Sequence, residues 1–425
     1  MFNVSRRSFL SVGAFGMLSM PQILQAQKEN NTQHKAVINI FLAGGPPHQD
    51  MWDIKHDAPV EIRGEFKPIS TNVAGIQIGE CFPKIASMFD KFTAIRSVVG
   101  CAGSHDGYQC MSGWDRDDKV GSQQYPAIGP VASKVLGPLD IAVPTSIGLA
   151  EPTKHVQWSE VGSAGYLGGS YKPFQPNSDM MEDLILKIKR ERFNDRKNLL
   201  STLTDLNPTL GRNTNTFAEE AFGVLTSSKL VDALDLSKED QKTRERYGDG
   251  KPFKYQYDGA PTVNEHLLVA RRLVEAGARS VTLSYGRWDS HGGNFDLVRD
   301  HGAKLDQCVS ALVEDLDSRG ILDDVTVIVW GEFGRTPKIN KGSGRDHWPQ
   351  VSCALLAGGG FHHGQTIGAT NKLGEYATDR PVHMQEICAT LYRGLGIDTM
   401  SQTIVDNTGR PNYLLEHREP IKELI

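Results

Sequence analysis

Cysteine is scarce in this sequence, and no two of its six cysteines form a C-x-x-C pair. That scatter argues against zinc-finger and iron–sulfur ligation and leaves buried thiols or one disulfide, for which Cys101 and Cys110 are the nearest pair. Basic residues number 46 against 51 acidic ones, so the charge does not indicate a nucleic-acid partner. After the N-terminal segment, no apolar run is long enough to predict a membrane span.

The N-terminal stretch "SRRSFLSVGAFGMLSM", residues 5–20, is not expected to belong to the fold. Its first six residues fit the twin-arginine export consensus, and the apolar run behind them is too short and too soft to span a membrane. We therefore predict that residues 1–30 are an export signal and linker read by the twin-arginine translocase. The chain is expected in the periplasm or cell envelope, and it stays tethered if the fair cleavage site before Gln27 is not used.

Apolar runs of strand length alternate with helical patterns along the rest of the chain. The runs are residues 36–45, 92–100, 143–150, 280–286, 325–331 and 351–360. They are apolar on both faces, which indicates buried, largely parallel strands. Helical spacing occupies residues 178–203, 264–278, 300–320 and 380–396. This alternation predicts an α/β fold, a three-layer α/β/α sandwich. We expect one domain over residues 31–425 with a polar, partly helical insertion at about residues 150–260.

Four of the predicted strands end in clusters of histidine and charged residues. The carboxyl ends of parallel strands share one edge of a sheet, where α/β proteins bind ligands. A single His or Asp beside glycines is usually a turn residue, but here the pattern recurs at several strand ends. The clusters contain His48 and Asp50, then Ser104 and His105, then Asp289 and His291, and finally Glu332, Arg335, Asp346 and His347.

These clusters combine the donors of a metal site with the cations of an anion site. Carboxylate and imidazole together suit Zn²⁺, Mn²⁺ or Fe, while an all-oxygen set suits Ca²⁺ or Mg²⁺. Arg287, Arg335 and Arg345 have the fork geometry that holds phosphate or sulfate. Trp348 lies among the charged motifs and is predicted to form a sugar platform or an apolar wall rather than core packing alone.

Three long motifs carry a family resemblance. They are "FLAGGPPHQDMWDIKHDAPVEIRGEFKPI", "WDSHGGNF" and "GEFGRTPKIN…GRDHWP". They resemble the sulfatase-like proteins of domain-of-unknown-function family 1501, which is grouped with the alkaline phosphatase superfamily, and the resemblance extends over roughly residues 36–398. It implies an alkaline-phosphatase-like or sulfatase-like fold with one or two metal ions at the strand ends. It also implies a nucleophile at a helix N-terminus and in-line attack on phosphorus or sulfur.

The resemblance is uneven at the positions that carry the chemistry. Gly45 stands where the superfamily has a ligand Asp, so His48 or Asp50 must substitute. The segment "GSHDGYQCMSG" lacks the Cys or Ser of a formylglycine motif, which leaves Ser104 as the hydroxyl nucleophile and His105 as an alternative nucleophile or ligand.

The later motifs supply the other implied ligands. Asp289 and His291 resemble a ligand pair, His347 resembles the final ligand histidine, and Glu332-Phe333 replaces an Asp-His pair. One imidazole of the superfamily pattern is therefore lost at residue 333. The resemblance implies an incomplete ligand set, in which one metal ion is at least as well supported as two.

The combined prediction is an exported metal-dependent hydrolase of phosphate or sulfate esters that does not use formylglycine. A divalent ion, Zn²⁺, Mn²⁺ or Ca²⁺, is bound by His48, Asp50, Asp289, His291, Glu332 and His347. Ser104 or His105 acts as nucleophile or orients the attacking water, while Arg335 and Asp346 position the oxyanion and the leaving group. The substrate is a small-molecule or polysaccharide ester.

The alternative is a non-catalytic envelope protein that binds sulfated or phosphorylated polysaccharide through the arginines. A complete shell of metal donors would favour the enzyme, whereas intact arginines around a pocket without such a shell would favour binding.

Overall fold

A central sheet of eight strands organises the chain in a computed structural model. The structure describes residues 34–176, 212–248 and 259–425, together with residues 192, 195 and 198. Residues Lys35–Ile425 form one compact unit. The predicted export signal, most of the helix predicted at 178–203 and part of the insertion predicted at about 150–260 lie outside the described residues.

Seven of the eight strands point the same way. In chain order the strands are β1 (Ala36–Phe41), β2 (Phe92–Val99), β3 (Ser146–Gly148), β4 (Ser280–Ser284), β5 (Val325–Trp330), β6 (Ser352–Gly358), β7 (Gln365–Ile367) and β8 (Val382–His383). Their order across the sheet is β7-β2-β6-β5-β1-β4-β3, with β8 also paired to β2. Only β6 is antiparallel to its neighbours in this sheet. The predicted largely parallel α/β architecture is confirmed.

The reversed strand β6 follows from how it connects to β5. A parallel connection needs a crossover, usually a helix, that carries the chain back to the other end of the sheet. Residues 331–351 contain no helix, so the chain leaves β5 and re-enters the sheet from the same edge. The run at 351–360, predicted as one of the largely parallel strands, therefore runs against its neighbours.

Helices cover both faces of the sheet. They are α1 (His48–Met51), α2 (Val60–Arg63), α3 (Pro83–Ser87), α4 (Tyr108–Ser112), α5 (Ile128–Leu136), α6 (Arg212–Thr226), α7 (Lys229–Leu234), α8 (Gln241–Tyr247), α9 (Asn264–Ala276), α10 (Asn294–Ser318) and α11 (Met384–Gly394). The predicted helices at 264–278, 300–320 and 380–396 correspond to α9, α10 and α11. None of the helices in the described part of the chain is long and apolar enough to cross a membrane.

Strand β1 shows how the two faces build two cores. Successive side chains of a strand point to opposite faces. Ile38 and Ile40 pack into one core with side chains from α3, α9 and α10, whereas Val37 and Phe41 pack into the other with α4, α5 and α11. The sheet is thus the middle of three layers.

All six cysteines are free thiols, Cys101 and Cys110 included.

Within the described ranges, five two-stranded hairpins lie outside the central sheet. They pair Pro68–Ser70 with Gln77–Gly79, Lys119–Val120 with Gln123–Gln124, Gly334–Arg335 with His347–Trp348, Ala369–Thr370 with Ala377–Asp379, and Thr403–Val405 with Pro411–Tyr413. The hairpin Gly334–Arg335/His347–Trp348 turns the segment after β5 back toward the carboxyl edge of the sheet and so brings His347 to that edge.

Candidate metal centre

Four side chains from three strand ends converge at the carboxyl edge of the sheet. His105 follows β2, Asp289 and His291 follow β4, and His347 follows β5, and one donor atom of each lies within 4.8 Å of the others. Asp289 Oδ1 is 3.4 Å from Nε2 of His105, 3.1 Å from that of His291 and 3.8 Å from that of His347. Ligand atoms at about 2.1 Å from a tetrahedral ion lie about 3.4 Å apart. This spacing therefore suits one metal ion.

In each of the three imidazole rings, Nδ1 is held by an acceptor oxygen. The acceptors for His105, His291 and His347 are Glu332 Oε1 at 3.1 Å, Asp346 Oδ1 at 2.7 Å and Gly103 O at 3.2 Å. Because these oxygens only accept, each neutral ring carries its proton on Nδ1 and turns the lone pair of Nε2 toward the common point. Nε2 of His291 lies 3.1 Å from Nε2 of His347, close enough for both nitrogens to bind one cation.

The electrostatics favour a positive charge beside His105 and Asp289, whereas they disfavour protonation of His347. Burial lowers the pKa of His105, but its hydrogen bonds to Asp289 and Glu332 outweigh burial and raise the pKa to about 9. Burial raises the pKa of Asp289, but His105 and Arg335 hold it well below its ordinary value. Burial and the neighbouring Arg335 lower the pKa of His347. A proton and a metal ion compete for the same Nε2 lone pair, so the donors attract either.

Arg335 binds Asp289 at Oδ1, the oxygen that also faces the imidazoles. The guanidinium is fully buried and donates from Nη2 to Asp289 Oδ1 at 2.6 Å. Nη2 also donates to the carbonyl of Gly44, while Nε donates to that of Gly45 and Nη1 to that of Arg345, both at 3.0 Å. Arg335 therefore orients a donor carboxylate, which differs from the role of holding an oxyanion that we predicted for it.

Glu332 supports the centre through the turn after β1. Its carboxylate is fully buried and accepts from Gly44 N at 2.9 Å and Gly45 N at 3.1 Å, besides His105 Nδ1. A Cβ at Gly44 would lie 2.5 Å from Asp289 N, and one at Gly45 would lie 2.6 Å from the ring of Phe333. The turn therefore contributes backbone only, and Glu332 orients His105 instead of joining the converging donors.

His48 and Asp50 lie in α1, outside the converging donors. His48 is fully buried with Nε2 2.9 Å from Gly374 O, and burial lowers its pKa to about 4. Asp50 is equally buried and receives Arg345 Nε at 2.7 Å, Arg345 Nη2 at 3.0 Å and Asn294 Nδ2 at 2.8 Å. A buried guanidinium needs a counter-charge, and Asp50 supplies it to Arg345. Asp50 was predicted from the sequence as a metal ligand, but it does not lie among the converging donors.

The open side of the centre is formed by its exposed members. The side chains of His291 and Asp346 are 48% and 53% exposed, against 11% for Asp289. Ser104 is exposed on the bend between Gly103 and His105. Asp346 Oδ1 lies 2.7 Å from Nδ1 of His291 and orients that ring, and its predicted role at a leaving group stays a prediction.

Trp348 points away from the donors. Neighbouring residues of a strand face opposite sides, so Trp348 faces away from the centre that His347 faces. Its Nε1 donates to Glu375 O at 2.7 Å, and its ring lies 6.1 Å from the ring of Tyr376. Phe333 forms the apolar wall instead, with its ring 5.3 Å from His105 and 4.5 Å from His347. Sequence reasoning did not single out Phe333.

Sequence reasoning also missed Asn340, whose amide contacts His291 O and Asp346. The only signal in the sequence was Asn followed by a Gly-rich turn. Within the described ranges, the four-residue cluster is the only group of three or more potential metal-binding side chains that comes together, which fits one ion rather than two.

Comparisons with known proteins give one family match and two distantly similar structures. Residues 34–425 match the model of a family described as a protein of unknown function, DUF1501. No curated protein matches the chain. Two solved structures are similar at low identity. One is the PsFucS1 sulfatase from Pseudoalteromonas sp., with 12% identity, 88% of this chain and 70% of that chain covered, and a TM-score of 0.38. The other is Ps i-CgsB in complex with k-i-k-neocarrahexaose, with 11% identity, 85% and 72% covered, and a TM-score of 0.31.

Proposed function

We propose that this chain, which belongs to the DUF1501 family, is a metal-dependent hydrolase of phosphate or sulfate esters. The observation that carries the proposal is the convergence of three imidazole Nε2 atoms and Asp289 Oδ1, with every Nδ1 fixed on an acceptor. A carboxylate–histidine pair that orients a metal ligand in this way is a recurrent feature of metal sites.

The donor set restricts the ion and the charge of the substrate. Three nitrogens and one carboxylate suit Zn²⁺, Mn²⁺ or Fe²⁺, and they disfavour Ca²⁺, which prefers oxygen. A divalent ion held there supplies Lewis acidity to an ester oxygen. A divalent ion together with Arg335 and Arg287 would outweigh the charges of Asp289, Asp346 and Glu332, which would allow an anionic ester to approach the open side.

The remaining residues divide into those that face the substrate and those that hold the donors. His291 and His347 border the open side, and the exposed Ser104 lies between Gly103, which holds His347, and His105. Ser104 is therefore our candidate nucleophile. Arg335 and Asp346 hold Asp289 and His291 in place, and their substitution is expected to act through those donors.

Export and substrate size complete the proposal. The twin-arginine motif at residues 5–10 supports export to the periplasm or envelope. Solvent access to His291 leaves room for a small-molecule ester or for an ester on a polysaccharide.

The arginines do not favour the alternative of a non-catalytic anion-binding protein. Arg345 is engaged with Asp50, Arg335 with Asp289 and three carbonyls, and Arg287 Nη1 with Asp289 O at 2.8 Å. Their fork-shaped donors are thus turned toward the protein itself. The donors at the strand ends, by contrast, are directed at a common point, which supports the enzyme.

The first test is the metal content of the purified chain, compared with Asp289→Asn and with Asp306→Asn as a matched control on α10. We expect about one equivalent of Zn²⁺ or Mn²⁺ in the wild type and control, little in Asp289→Asn, and hydrolysis of aryl phosphate or sulfate esters only by the loaded proteins. Absence of metal in the wild type after incubation with either ion would refute the centre. Equal hydrolysis by Asp289→Asn would refute its role in catalysis.

A further inference from the structure

Asn340 organises the loop that borders the open side of the metal centre. Its Oδ1 accepts from Gly342 N at 2.9 Å and from Gly344 N at 3.0 Å. Its Nδ2 donates to His291 O at 2.9 Å and faces both carboxylate oxygens of Asp346 at 3.3 and 3.4 Å. One amide therefore connects the turn to a metal-site histidine and to the carboxylate that orients it.

The loop conformation needs such a support. Ser343 has a φ of 53°, a left-handed value that a non-glycine residue rarely adopts unless its surroundings hold it there. At Gly344 a Cβ would lie 2.1 Å from His291 O, so the two backbones pack directly against each other. The two acceptor bonds of Asn340 brace the turn on both sides of Ser343.

The contact that the loop presents to the centre is weak by itself. Asp346 and His291 are both about half exposed, and a solvent-exposed contact of this kind contributes little by itself. Such a pair does not keep a solvent-facing imidazole in one orientation. Asn340 donates to the backbone carbonyl of His291 and to the carboxylate of Asp346. It therefore restricts the movement of these two residues relative to each other.

We propose that Asn340 is a positioning residue of the metal centre. Its amide fixes Asp346 against Nδ1 of His291 and thereby keeps the Nε2 lone pair of His291 directed at the other donors. The inference rests on the metal centre of the proposed function but not on ester hydrolysis.

The variant Asn340→Asp separates positioning from support of the turn. A carboxylate keeps the acceptors for Gly342 N and Gly344 N, but it loses the donor and places a second negative charge beside Asp346. Lys338→Gln is the matched control, because it makes the same change in net charge at an exposed position of the same segment.

The first readout is the tautomer of His291 in chelator-treated protein, from long-range ¹H–¹⁵N spectra, and the second is Zn²⁺ affinity by calorimetry. We expect the Nδ1–H form in the wild type and in Lys338→Gln. In Asn340→Asp we expect a mixture of tautomers and at least about ten-fold weaker Zn²⁺ binding, in the range found for groups that orient metal ligands. A wild-type tautomer and affinity in Asn340→Asp would overturn the proposal.

Two further outcomes remain decisive. If the wild type binds no Zn²⁺, the proposed function fails, while the tautomer comparison still decides the role of Asn340. If Asn340→Asp does not fold, Asn340→Ser removes the same Nδ2 donor to His291 O and Asp346 while keeping a polar oxygen at residue 340. An unchanged His291 tautomer in Asn340→Ser would then overturn the proposal, and a mixed tautomer would support it.

Discussion

Replacement of Asp50 by Asn tests whether this carboxylate supports the fold or binds the metal. The carboxylate and Arg345 are both 0% exposed and meet through two hydrogen bonds of 2.7 and 3.0 Å. The amide keeps the shape of the side chain but removes its charge. Arg345 then stays buried without its counter-charge.

The expected loss follows from that burial. Breaking a buried ion pair from one side lowers the free energy of unfolding by about 3–5 kcal/mol. Arg345 also donates to three backbone carbonyls, and the amide oxygen at residue 50 still accepts one bond. We therefore expect the lower end of the range, about 3 kcal/mol, with the metal content of the folded protein unchanged.

Urea unfolding in EDTA measures this loss without any contribution from bound metal. The cycle of Asp50→Leu, Arg345→Met and the double variant gives the coupling, and the double variant is expected to lose less stability than the sum of the two single losses. The reasoning is refuted if Asp50→Asn keeps wild-type stability in EDTA but loses its metal, since Asp50 would then be a ligand.

Three further measurements probe other parts of the structure. Zn²⁺ at about 100 times its Kd should stabilise the wild type by about 2.7 kcal/mol and leave Asp289→Asn unchanged, and equal stabilisation of both would place the ion elsewhere. Burial raises the pKa of Asp306 to about 6, above about 3.9 in the unfolded chain. The folded chain therefore keeps this proton to a higher pH than the unfolded chain does. The free energy of unfolding is unaffected below pH ~4 and falls by up to about 3 kcal/mol as the pH rises through 6. For His48, whose folded pKa is about 4, the sign is opposite: stability is lost as the pH falls from ~6.5 toward 4. Asp306→Asn and His48→Gln should each remove their own slope from stability–pH curves, and a slope that persists contradicts the assignment. Gly44 has a φ of 105°, and a Cβ there would lie 2.5 Å from Asp289 N, so Gly44→Ala should lose metal. Gly75 has a φ of 82° and nothing within 4 Å of a Cβ, so Gly75→Ala should lose only about 1–2 kcal/mol of stability. Metal content and urea unfolding distinguish the two variants.

The fold was accessible from the sequence because its signals are local. Continuous apolar runs bounded by helical patterns identify buried parallel strands, and β1 with β4 and β5 formed as that pattern predicts. The direction of β6 was not accessible in the same way. It depends on whether residues 331–351 fold into a crossover helix or a hairpin, and their charges and glycines do not distinguish a long loop over a site from a connection across the sheet.

The site was accessible only as far as strand ends determine it. The shared edge of parallel strands brings His105, Asp289, His291 and His347 together. The partner of each acid is set by residues far away in the chain. Asp50 meets a guanidinium 295 residues later, and no local pattern encodes that contact.

Glu332 shows the same limit and also how the centre keeps three imidazoles. The resemblance places an Asp-His pair at residues 332 and 333, and Phe333 removes that imidazole. The structure puts the ring of Phe333 against His105 and His347 and turns Glu332 onto Nδ1 of His105. A carboxylate at the end of β5 thus orients a histidine from the end of β2. The candidate centre depends on that contact, because Glu332 is the acceptor that fixes the Nδ1 proton of His105 while Nε2 of the same ring faces Asp289.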